Sequence, residues 1–268
     1  MSLLASGINP KYLEAIKKFR LIDDTFFNVC FDGSTECMQL LLRIILKRDD
    51  ITIIEAVTQR SAHNLYGRAV RFDVLATDSK GKIYNIEIQR ADEGANPKRA
   101  RFNASLMDSR EVAKGTKYQD FPEIWVIFIT EKDIFGSDLP IYHVERTIKE
   151  LNHQDFGDAT HIAYANGAYR GNDDLGLLMQ DFFCTDPAQM HYQVLARRAD
   201  FFKHQKQGVQ AMCEIMKELQ DEGRAEGLAD GFTQVAIGML KDSKPYDEIT
   251  KYTHIPQDEL KKLAQQLQ

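Results

Sequence analysis

A chain of 268 residues can bury a sizeable core, and its size fits one large domain with a smaller appendage. A net charge of −6 speaks against a protein that coats nucleic acid nonspecifically, four scattered cysteines exclude a disulfide framework or a Cys-based zinc site, and no apolar run is long enough to span a membrane. The opening MSLLASGINPKYLEAIKKFR lacks the ordered charged region, apolar stretch and small-residue cleavage site of a secretory signal, so a cytoplasmic location is expected.

Residues 13–27 carry the pattern of an amphipathic helix or helix-turn. In FDGSTECMQLLLRIILKRDD, Ser34 or Thr35 offers an N-cap, and Met38, Leu41, Leu42 and Ile45 follow at helical spacing. ITIIEAVT, residues 51–58, has the β-branched content of a strand.

Next comes FDVLATDSKGKIYNIEIQR, whose two alternating runs, 72–76 and 84–88, read as a β-hairpin. A loop of Ser79, Lys80 and Gly81, with glycine in the left-handed position, fixes the register. Ala76 then faces Tyr84, Val74 faces Ile86 and Phe72 faces Ile88 on an apolar side. The other side pairs Thr77 with Ile83, Leu75 with Asn85, Asp73 with Glu87 and Arg71 with Gln89. Two like charges directly opposed cost a sheet about 0.2–1 kcal/mol. Either a basic side chain such as Arg71 neutralises the acids, or the face is wet, or a divalent cation sits between them. The segment 60–120 holds 12 Lys and Arg against 8 Asp and Glu, a local excess of base that suits a phosphate substrate.

After the hairpin, Asn96 and Pro97 make a cap and first turn for a helix that Gly115 should end. Arg99 and Arg101 fall in that first turn, beside backbone N–H groups able to receive a phosphate. EIWVIFIT, residues 123–130, reads as a buried strand, and residues 139–144 as a further one. The order predicts a mixed sheet flanked by helices. From about Asp181 the chain turns helical; Gly223, Gly227 and Gly231 lie four apart, marking close packing between chains or a frayed connector. PYDEITKYTHIPQDELKKLAQQLQ has two short amphipathic helices broken at residues 254–256, the outline of a helix-turn-helix unit whose mixed-charge second helix suits a structural or oligomerising role better than DNA reading.

Asp73 followed by Glu87-Ile88-Gln89 resembles the core of the PD-(D/E)XK nuclease superfamily. Together with PKRARFNASLMD, WVIFIT, HIAYANGAYRG and LMQDFFCTDP, it resembles the PD-(D/E)XK nuclease family transposases over about residues 20–200. The resemblance implies an α/β fold with a restriction-endonuclease-like mixed sheet over residues 1–180, followed by a helical region over 181–268. It also implies Mg²⁺- or Mn²⁺-dependent hydrolysis of DNA, associated with recombination or transposition. Asp73, Glu87 and the Ile88 carbonyl would hold the metal, Gln89 would stand where many relatives carry lysine, and Glu36 would be the assisting acid on the first core helix. Arg99 and Arg101 would meet DNA, and the helical region would carry any homo-oligomer contact. The competing expectation is a catalytically inactive nucleic-acid or protein interaction module. No G-x-x-x-x-G-K-[ST] loop and no G-x-S-x-G elbow supports an unrelated enzyme.

Overall fold

The structure is a computed structural model and describes residues 9–58, 61–62, 70–90 and 92–267. The predicted N-terminal helix is two: α1 (Pro10–Lys18) and α2 (Asp24–Phe31). Between them the Asp23 carboxylate accepts the Arg20 backbone N–H at 2.8 Å, tightening the break. Ser34 caps α3 (Thr35–Leu46), its hydroxyl accepting the Cys37 N–H at 3.4 Å. Met38, Leu41, Leu42 and Ile45 are buried, as their spacing predicts.

Strand β1 (Ile53–Thr58) is followed by a small ribbon of β2 (Ser61–Ala62) and β3 (Val70–Arg71). The hairpin is β4 (Val74–Asp78) and β5 (Ile83–Gln89), in the expected register, with Val74 against Ile86 and Thr77 against Ile83. Gly81 has φ +77°, the left-handed backbone that the turn requires. The Asp78 carboxylate is buried inside the turn, accepting Lys80 N at 2.8 Å, Lys82 N at 2.9 Å and the Tyr84 hydroxyl at 2.9 Å. Residue 72 departs from expectation. The ladder starts at Val74, so strand alternation does not govern Phe72, whose ring joins Leu75 and Ile83 rather than the face of Val74 and Ile86.

Asn96 caps α4 (Pro97–Glu111) by accepting Lys98 N at 2.8 Å. The helix stops at Glu111, short of Gly115, because the β-branched Val112 is extended; Gly115, at φ +93°, serves the turn beyond. Then come β6 (Ile124–Thr130), β7 (Ile141–Val144), the paired β8 (Thr147–Ile148) and β9 (Gln154–Asp155), and β10 (Thr160–Asn166). The main sheet has order β1-β4-β5-β6-β10-β7, with β5, β6 and β10 parallel and the other neighbours antiparallel.

Helix α4 covers one face, where Ala100, Ala104 and Met107 meet Leu75, Ile83, Val126, Phe128 and Tyr164. The side of the hairpin that looks polar in sequence is therefore dry. Helices α2 and α3 pack on the sheet and against α5 (Asp174–Phe183) and α6 (Gln193–His204). All of this except the first residues of α1 lies in one compact unit, Leu13–Val209.

The chain from Gln210, together with the start of α1 up to Tyr12, belongs to a second unit. It contains most of α7 (Lys206–Lys241), then α8 (Tyr246–Thr253) and α9 (Gln257–Gln266), broken at residues 254–256 as the sequence predicts. Its small core centres on Ala236, Ile249 and Leu260. Gly223, Gly227 and Gly231 lie within continuous helix, and a Cβ at any of them would meet nothing within 4 Å.

Candidate active site

The site sits where β4 begins and β5 ends. Asp73 lies one residue outside the hairpin ladder, and its Oδ2 accepts the backbone N–H of Ile88 at 2.8 Å. That bond reaches across to β5 and sets the Asp73 carboxyl beside Glu87. Glu87 is fully buried, with Oε1 finding no hydrogen-bond partner. Its Oε2 takes a short hydrogen bond from Nη2 of Arg99, in the first turn of α4. Nη1 of Arg99 donates to the Gly94 carbonyl at 3.2 Å. The base facing the acids is thus Arg99, while the side chain of Arg71 lies outside the described residues.

Burial pushes the Asp73 carboxyl up to about 8, with the negative charges of Glu87 and Asp24 adding to the effect. Burial also raises Glu87 above the ordinary carboxylate range, although the Arg99 charge pulls it back. Asp24 is the acid that sequence reasoning missed. It opens α2, where an N-terminal aspartate reads as an ordinary complement to the helix dipole, and it accepts the Asn28 side-chain amide at 3.0 Å. Glu36 is not brought to this site. It is exposed in the first turn of α3, in a cleft lined by Cys37, Val194, Arg197 and Arg198. The helix that meets β5 is α2.

Gln89 is half-buried at the end of β5, its side-chain oxygen lying against Gly94; a Cβ at Gly94 would fall 1.6 Å from it. Arg101 is exposed, but as the fifth residue of α4 it lies in the second turn, not the first as the sequence led one to expect. Ile88 follows Glu87 in β5, its peptide anchored through the N–H that Asp73 accepts.

Two carboxylates and a main-chain carbonyl make an all-oxygen donor set suited to a hard divalent cation. Among the described residues no group of three or more His, Cys, Asp or Glu side chains is arranged to hold a metal ion. A Mg²⁺-like ion, which uses one or two carboxylates and keeps several waters, needs no such group. Glu87 Oε1 is a buried acceptor with no well-formed hydrogen bond, the Asn85 side chain close enough only to lower the carboxyl somewhat, so the residues fit the ion.

The sequence model of the family described as "PD-(D/E)XK nuclease family transposase" matches residues 24–166, from the start of α2 to the end of β10. No curated protein and no solved structure matches the chain.

Proposed function

The chain belongs to the PD-(D/E)XK nuclease family transposases, and from that membership we propose that it is a metal-dependent DNA endonuclease, hydrolysing phosphodiester bonds in recombination or transposition. The observation that carries the reading is a buried carboxylate pair built by a hairpin, one of whose oxygens is unsatisfied. Asp73, Glu87 and the Ile88 carbonyl hold Mg²⁺ or Mn²⁺. Such an ion would supply Lewis acidity toward a phosphodiester oxygen and lower the pKa of an attacking water. Gln89 orients that water or a phosphate oxygen through its amide, without adding charge. Arg101, exposed at the start of α4, binds a DNA phosphate, and Arg99 is a second phosphate ligand within reach of the acids. The Asp24 charge adds to burial and the Glu87 charge in raising Asp73. DNA is the partner.

The test is plasmid nicking by the purified protein with and without Mg²⁺. Wild type should cut only with metal, while Asp73→Ala and Glu87→Ala should be folded by circular dichroism and lose at least about 10³-fold in rate. One observation favours a second reading: Gln89 brings no cation, and Arg99 already neutralises Glu87. A folded wild type that binds DNA but never cuts, under Mg²⁺ or Mn²⁺, would make the protein an inactive interaction module.

A further inference from the structure

Glu87 and Arg99 are unequal partners. Glu87 is fixed in the middle of the sheet and its side chain is 0% exposed, whereas Arg99 is 34% exposed. Among the described residues Arg99 has two polar anchors, Glu87 Oε2 and the Gly94 carbonyl, and its guanidinium lies 5.9 Å from the centre of the Phe128 ring, a weak contact. The arginine can therefore leave without unpacking the core, and the glutamate cannot move to follow it. A buried carboxylate stripped of the one cation it has among the described residues is strongly disfavoured, so departure requires a replacement positive charge, a metal ion or a proton.

We infer that Arg99 is a removable counter-ion: it occupies Glu87 in the metal-free protein, competes with a divalent cation for that carboxylate, and swings toward solvent and DNA phosphate once displaced. The inference rests on the metal reading above and adds the order of events. The same arginine holds the empty site together and then serves the substrate, so phosphate binding becomes coupled to metal binding. By reciprocity, a phosphate that draws Arg99 away must also tighten the metal.

The experiment uses the full chain and Mn²⁺ alone, titrated calorimetrically at about pH 8.5, above the value of about 8 to which burial raises Asp73. The proteins are wild type, Arg99→Gln, Arg99→Met and Glu87→Gln. Arg99→Gln keeps a hydrogen-bond donor near Glu87 and guards against loss of folding in Arg99→Met. Folded Arg99 variants should bind Mn²⁺ at least about tenfold tighter than wild type, and Glu87→Gln should lose binding. A second measurement needs no variant: phenylglyoxal modification of Arg99 in wild type, read by peptide mass, should accelerate when Mn²⁺ is added. A merely structural arginine would lower the thermal midpoint on removal but would not tighten the metal. Equal or weaker Mn²⁺ binding in the folded variants, with Mn²⁺-independent labelling, overturns the inference while leaving the metal site standing. Absence of Mn²⁺ binding in every protein overturns both.

Discussion

Asp73 is held up to about 8 by burial, with Glu87 and Asp24 contributing. A carboxyl raised on folding lends its stability below its unfolded value and loses it as pH rises through the folded one. Metal-free protein should therefore lose stability between about pH 4 and 8. Urea denaturation across that range should show the fall, and Asp73→Asn should flatten it and stabilise the protein at pH 8 by about 1–2 kcal/mol. Asp24→Asn removes one of the charges that raise Asp73, so its stability curve should break at lower pH, measured in the same series. The opposed acids were legible in sequence because a strand period and a three-residue loop fix which residues meet. Asp24 and the Arg99–Glu87 pair were not. Both depend on where a helix lands on the sheet, which periodicity along one element does not state.

Local patterns foretold the hairpin turn, the caps of α3 and α4, and β6, each written within a few residues. Strand β10 was not foretold as a strand: His161, two alanines and Asn166 dilute its β-branched signal, and only pairing with β6 and β7 shows its role. The same neighbourhood carries a sharp packing constraint. A Cβ on Gly167, just after β10, would fall 2.3 Å from the Thr130 carbonyl oxygen, a backbone atom that cannot turn aside. Gly167→Ala should cost about 1–3 kcal/mol in chemical denaturation. On α6, the buried Lys203 ammonium donates to the carbonyls of Lys17, Phe19 and Thr185, tying three segments together. Lys203→Met leaves those acceptors without their donor and should destabilise by about 2–4 kcal/mol in the same assay.

The two compact units differ in how much apolar surface secures them. Leu13–Val209 has a six-stranded sheet covered by helices, whereas the unit from Gln210 centres on Ala236, Ile249 and Leu260. Local opening follows buried apolar contact, so native-state hydrogen exchange should find the slowest amides in β5, β6 and β10 and much faster ones in α8 and α9. Equal protection in the two units would show that the small core is stronger than its composition implies. Composition and the change to helical character pointed to a large domain and an appendage. They could not locate α5 and α6, whose apolar faces belong with α2 and α3.

The short hairpin loop has a kinetic consequence. Closing β4 on β5 over three residues is a local, microsecond-scale event, whereas β5 and β6 are parallel and can pair only after the chain has crossed through α4. Asp73 and Glu87 thus approach each other before Arg99 is delivered by that crossover. Both acids are still open to solvent at that stage, so the nascent hairpin carries an uncompensated repulsion that only acid near the ordinary carboxylate range relieves. Refolding by stopped flow should accordingly be faster near pH 4 than near pH 7, and Asp73→Asn should remove most of the difference.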